Sequence, residues 1–163
     1  PFATVVFAPI FGLLVDKIGH GTRWMLTGAV LALIAHLMLA FAPSGIPFYG
    51  YLSMVFLGFG YSLVPAAMWP SVPKIVPNKV LGTAYSLIYW VQNLGLMSFK
   101  MFAGKILADT NLDKGVSEAG AFWVEVMFVA VCVVALLLAL SLSVYSRRNP
   151  HLKIDLPDQS KAF

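Results

Sequence analysis

The charges of this chain are confined to short segments between long uncharged runs, and that segregation limits the fold more than any motif does. Residues 24–42, 47–73, 80–99 and 126–146 contain no Asp, Glu, Lys or Arg. A helix needs about 20 apolar residues to cross a bilayer core of roughly 30 Å, and each run reaches or nearly reaches that length. In lipid, a helix satisfies every backbone N–H and C=O within one segment. A transmembrane barrel needs stretches of ~10 residues with alternating hydrophobicity, and none of these runs alternates. Composition agrees: 60% of the 163 residues are hydrophobic and 11% are charged, against about 25% charged in a soluble domain. Mean hydropathy is +0.83. With so few solvating groups the chain needs lipid as part of its solvent.

Residues 1–15 form a fifth apolar run, cut short. The chain opens on Pro1 within a hydrophobic stretch, without the basic start or small-residue cleavage site of a signal peptide. The simplest expectation is a piece of a longer protein. The pattern predicts five transmembrane helices, at about 1–16, 22–42, 47–72, 80–108 and 119–147, and a cytoplasmic tail over 148–163. The expected fold class is all-α integral membrane. Cys132 is the only cysteine, which excludes a disulfide framework or a cysteine-based metal pair.

Basic residues collect on alternate connections. Lys17, Arg23, Lys74, Lys79, Arg147, Arg148, Lys153 and Lys161 fall on one side, whereas Lys105 and Lys114 fall on the other beside Asp109, Asp113 and Glu118. The positive-inside rule places the first set in the cytoplasm. It also explains the net charge of +4 without nucleic acid as a partner. Trp24, Tyr49, Tyr51, Trp69, Trp123 and Tyr145 fall near expected helix ends, where amphipathic rings anchor at the interface.

The first cytoplasmic connection reads Gly12-Leu13-Leu14-Val15-Asp16-Lys17-Ile18-Gly19-His20-Gly21-Thr22-Arg23. It resembles the signature loop of the major facilitator superfamily, with Gly12, Asp16, Lys17, Gly19 and Arg23 at its main positions, although its basic end is thinned and Arg23 sits late. Four further helices and a polar tail follow, which fits the loop between helices eight and nine. A second block contains Gly60-Tyr61-Ser62-Leu63, Met68-Trp69-Pro70, Val76-Pro77, Leu81-Gly82-Thr83-Ala84-Tyr85 and Gln92-Asn93-Leu94-Gly95-Leu96. It is similar to helices ten and eleven of the branch that includes the lysosomal dipeptide transporters, and 36–41 is similar to that branch as well. The resemblance covers roughly the first two thirds of the chain. It implies a partial fold, from the end of helix eight through helix twelve, of a carrier with two six-helix bundles around a midplane cavity.

The resemblance further implies alternating access, a small organic solute such as a dipeptide as cargo, and uniport or symport. Its partners would be the lipid bilayer, the amino-terminal half of the same protein and an accessory membrane protein. The chain has no N-x-[ST] acceptor and its tail no acidic dileucine signal. The expectation is therefore a bacterial inner membrane, with a lysosomal or other organelle membrane as the alternative.

Individual residues carry two readings each. Asp16, next to a helix start, would be stabilised by unpaired N–H groups there. The family resemblance implies that this acid latches onto a helix of the opposite bundle; a solvated loop is the simpler reading. Gly12 and Gly19 would permit close approach and a tight turn. Lys17 and Arg23 would pair with carboxylates or lipid phosphates. At 100° per residue, Tyr85, Tyr89, Gln92, Asn93 and Lys100 form one polar stripe, with Tyr61 as a neighbour on the preceding helix. A polar stripe on a spanning helix faces protein or a water-filled cavity, so it lines the solute path or bonds neighbouring helices.

Glu125 is expected at the interface or paired with Lys105 or Lys100, and His36 as a hydrogen-bond partner in packing. Pro65 is expected to bend its helix. No nucleophile–base set, zinc spacing or phosphate-binding glycine loop is present, so enzymatic activity, cofactor and metal are not expected. A non-transporting scaffold or sensor with the same fold is the competing function. Assignment to helices two to six is a further alternative, opposed by the Gln-Asn-Leu-Gly block and the tail.

Overall fold

In a computed structural model the described residues are 2–43, 46–110 and 118–157. Five helices follow in order: α1 Phe2–Ile18, α2 Gly21–Phe41, α3 Pro47–Ile75, α4 Leu81–Asp109 and α5 Glu118–Arg148. Single-turn 3-10 helices occupy Asn78–Val80 and Pro150–Leu152. There is no strand among the described residues. The charges of Asp113, Lys114 and Lys161, used above for orientation, lie outside the described residues.

The sequence punctuates these helices. Gly19 (φ 75°) and His20 (φ 58°) both take left-handed backbone and turn the chain between α1 and α2. Pro47 opens α3, a position where its missing N–H costs nothing. Pro77 follows the end of α3 and Pro150 the end of α5. By length and apolar composition, α2, α3 and α5 suffice to cross a membrane. α1 has 17 residues and would span about 26 Å at ~1.5 Å per residue. α4 has 29, but Gln92, Asn93, Lys100 and Lys105 lower its hydropathy.

α2 is the organising helix, packed on α3 along one side and on α5 along another. Small residues let it approach closely. A Cβ at Gly28 would stand 2.7 Å from Val64 Cγ2 and 3.0 Å from the Gly60 carbonyl oxygen, and one at Gly60 would stand 2.8 Å from the Gly28 oxygen. With no hydrophobic drive between helices in lipid, such backbone-to-backbone contact supplies the attraction. A buried hydrophobic cluster of Val15, Met25 and Ala67 is flanked by Trp24, Met68 and Leu142. α1 joins through Phe7 and Phe11 on Phe59, with the Phe7 and Phe59 centroids 4.9 Å apart. Within α3, buried hydroxyls are satisfied by the helix's own carbonyls: Ser62 donates to Gly58 O (2.7 Å) and Ser71 to Ala67 O (2.8 Å). α4 touches α3 and α5 more sparingly, and none of its residues is buried.

Candidate functional site

α3 continues as one helix through Pro65, Pro70 and Pro73. Pro73 has no N–H to give to the carbonyl four residues earlier, which is that of Trp69. Tyr85, in the first turns of α4, donates its hydroxyl to this Trp69 oxygen at 3.2 Å. The Trp69 ring then lies against Tyr85 (centroids 5.6 Å apart) and stacks on Tyr89 (4.7 Å). A group of three aromatic rings thus ties α3 to α4. Trp69, expected as an interfacial anchor, is also a tertiary contact.

Farther along the same face, Gln92, Asn93 and Lys100 are exposed. The Asn93 amide nitrogen donates to Tyr89 O of its own helix at 2.8 Å. Exposure by itself does not choose a face of α4, since Trp90, off the stripe, is 62% exposed and Tyr89 52%. The contacts do choose: the Tyr85–Tyr89 end of the stripe is engaged by α3, and the Gln92–Lys100 end is open. Tyr61 lies two turns before Trp69 on α3 and is also exposed.

In the connection between α1 and α2, Asp16 and Lys17 occupy the last turn of α1, Asp16 half-buried and Lys17 exposed. Gly19 meets both demands placed on it. Its φ is positive, and a Cβ would come within 2.6 Å of the Asp155 carbonyl oxygen. Gly12, in contrast, has nothing within 4 Å of where its Cβ would be, so no close approach occurs there among the described residues. Arg23 is exposed in the first turn of α2, and its N–H donates to His20 O at 2.9 Å.

The tail folds back onto this loop, a contact the sequence reading did not foresee. His20 N–H donates to Asp155 O at 2.8 Å. The Asp155 carboxylate accepts from Thr22 N–H (2.9 Å), from Thr22 Oγ1 (2.8 Å) and from Ser146 Oγ of α5 (2.7 Å). Lys74 Nζ, at the end of α3, donates to Ile154 O (3.2 Å) and Leu156 O (2.7 Å), and Ile154 is almost fully buried. Burial pushes the Asp155 carboxyl up, but hydrogen bonds from Ser146 and Thr22 and the nearby His20 outweigh it. The group is held below the usual carboxylate range. Only Thr22, at the start of a helix, carried a signal for this contact: the first turn of α2 contains no acid of its own, so its N–H groups were open to a carboxylate from elsewhere.

At the opposite end, His36 Nδ1 and Glu125 Oε2 are 2.7 Å apart, joining α2 to α5. The partner of Glu125 is therefore His36 rather than Lys105 or Lys100: His36 faces α5 at the depth of Glu125, and Phe128, one turn farther, stacks on its ring at 5.0 Å. A cleft of about 640 Å³ opens beside the pair, lined by Glu118, Phe122 and Glu125 of α5 together with the ends of α2 and α3. Among the described residues no His, Cys, Asp and Glu side chains gather in a group that would hold a metal ion.

The family model of the Major Facilitator Superfamily matches residues 1–162. The chain is 39% identical over 141 residues to the lysosomal dipeptide transporter MFSD1 of Mus musculus, an alignment covering 86% of this chain and 27% of that protein. It is 42% identical over 130 residues to the protein of that name from Bos taurus, covering 80% and 25% respectively. The Gallus gallus protein is 41% identical over 127 residues, covering 77% and 25%. The chain thus spans about a quarter of the length of the curated relatives it matches. With its helical fold and apolar spans, the chain belongs to the major facilitator superfamily, close to the branch of the lysosomal dipeptide transporters.

Proposed function

We propose that this chain supplies the end of helix eight through helix twelve of a carrier that moves a small organic solute, dipeptides foremost, across a membrane by alternating access. In this reading all five helices span the bilayer, the amino-terminal bundle is provided by the rest of the protein, and an accessory membrane protein is a further candidate partner. The observation that carries the reading is the similarity to proteins named dipeptide transporters. It is supported by the open polar end of the α4 stripe, where a spanning helix exposes Gln92, Asn93 and Lys100 although lipid penalises such groups. Gln92 and Asn93 would hydrogen-bond a peptide backbone or carboxylate, Lys100 would attract an anionic group, and Tyr85, Tyr89 and Tyr61 would form the aromatic wall. The signature segment over 12–23 would hold the cytoplasmic side closed through Asp16. The names of the relatives favour a lysosomal membrane over a bacterial inner membrane.

Uptake of labelled dipeptides into vesicles containing the full-length carrier, with and without a pH gradient, tests this. Transport should be saturable, and Gln92→Ala and Asn93→Ala should each weaken apparent affinity about tenfold at equal expression, the effect expected when one hydrogen bond to a charged group is lost. No uptake, or unchanged kinetics in both variants, would remove these residues from the solute path.

A further inference from the structure

The folded-back tail creates a second feature at the cytoplasmic end. A cavity of about 260 Å³ lies between the start of α2, the end of α5 and the tail, lined by Arg23, Arg147, Lys153 and His20 among others. The cations come from three separate elements. The positive-inside bias accounts for basic residues on this side of the membrane, but not for their convergence on one cavity. That convergence follows from the fold: Asp155 is bonded to Thr22 and Ser146, Lys74 holds the carbonyls on either side of it, and a left-handed residue at Lys153 (φ 53°) turns the chain between them.

Among the described residues the one carboxylate in the lining, Asp155, opposes an anion. Its oxygens are already engaged by three donors from Thr22 and Ser146, and Arg23, Arg147 and Lys153 leave the cavity cationic. Pro150 and Leu156 give the same cavity an apolar wall, and Leu156 is half-exposed. A phosphate anion alone would have no use for that wall. A phospholipid would, since its phosphate and its glycerol–acyl junction are adjacent. Basic pockets at the cytoplasmic ends of membrane helices bind anionic headgroups in this way.

We propose that this cavity is a binding site for the phosphate headgroup of an anionic phospholipid of the cytoplasmic leaflet, with Arg147 and Lys153 as principal cations and the tail as its scaffold. The test uses the full-length carrier in uncharged detergent, titrated with dioctanoyl phosphatidylglycerol, dioctanoyl phosphatidylcholine or inorganic phosphate and followed by native mass spectrometry. One phosphatidylglycerol should bind saturably, and phosphatidylcholine should bind at least about tenfold more weakly. The double variant Arg147→Gln/Lys153→Gln should lose about 25-fold in phosphatidylglycerol affinity, roughly fivefold per cation. Arg147→Lys/Lys153→Arg should retain binding. Lys79→Gln, a cytoplasmic cation outside the cavity, should stay within about twofold. Inorganic phosphate binding as tightly as the lipid would overturn the lipid as occupant and leave a free-phosphate site. Equal binding of the two lipids by the parent protein, or an equal loss in Lys79→Gln and the glutamine double variant, would overturn the site altogether.

Discussion

Tyr85 shows how a single residue answers a deficit built into another helix. A backbone carbonyl inside a membrane protein needs a donor, and Pro73 deprives Trp69 of its ordinary one. Tyr85 supplies the hydroxyl from α4, and its ring sits beside the Trp69 ring. Tyr85→Phe keeps the ring contact and removes only the bond. It should destabilise the full-length carrier by about 1 kcal/mol, the usual net value of such a bond. Pro73→Ala returns an N–H to α3, so in that background the same Tyr85 change should cost close to nothing. Thermal unfolding of the two single variants and the double variant measures the coupling; additive effects would show that the hydroxyl and the proline are unrelated.

Among the elements, the α2–α3 pair rests on two glycines whose missing side chains let the backbones meet. A Cβ at Gly60 would meet backbone atoms, the Gly28 oxygen at 2.8 Å and the Ala32 nitrogen at 3.1 Å, and backbone cannot rotate away as a side chain can. Gly60→Val should therefore force α2 and α3 apart and cost about 1–3 kcal/mol, the range for overpacking. Gly50→Ala, on the same helix with nothing within 4 Å of the new methyl, should change stability by less than about 0.5 kcal/mol. Melting temperatures of the purified carrier distinguish the sites; equal losses would point to helix propensity instead of the crossing. The pairing of these glycines was not readable in advance. Gly58 and Gly60 stand near each other in sequence, and only the crossing point decides that Gly60 is the one at the contact.

For the whole molecule, the tail closes one end of the helix bundle by joining α2, α3 and α5 through a short segment. Asp155 acts as an N-terminal cap for α2 from 133 residues away. Removing such a cap costs about 1 kcal/mol, so Asp155→Ala should speed hydrogen exchange of the Thr22 amide about fivefold, with smaller effects in the middle of α2. The pH dependence follows from the lowered carboxyl. A group whose folded pKa lies below its unfolded value stabilises fully above the unfolded value, about 3.9 for Asp. That contribution is lost as pH falls through the folded value. The difference between parent and variant should therefore be the same at pH 7 and pH 5 and shrink only below about pH 4. A difference that disappears by pH 5 would show that the cap is not this carboxylate.

The order and character of the elements were legible because lipid imposes a local condition: each spanning segment must hide its own backbone and carry apolar side chains, so uncharged length and flanking charge reveal the helices one at a time. The glycine–aspartate loop was legible for a similar reason, as a turn written in consecutive residues. The polar stripe of α4 was readable from the 100° step, but which end is engaged was not, since any neighbour would accept the same spacing. The contacts between distant positions belong to the tertiary structure alone. Glu125 had several cations within plausible reach along the sequence, and the placement of α2 against α5 selected His36. Asp155 lay in a tail whose composition suited water, and it found its donors only because the ends of α2 and α5 come together beneath it. Periodicity records which face avoids lipid or water. It does not record which partner covers that face, because that depends on how separate helices approach one another in space.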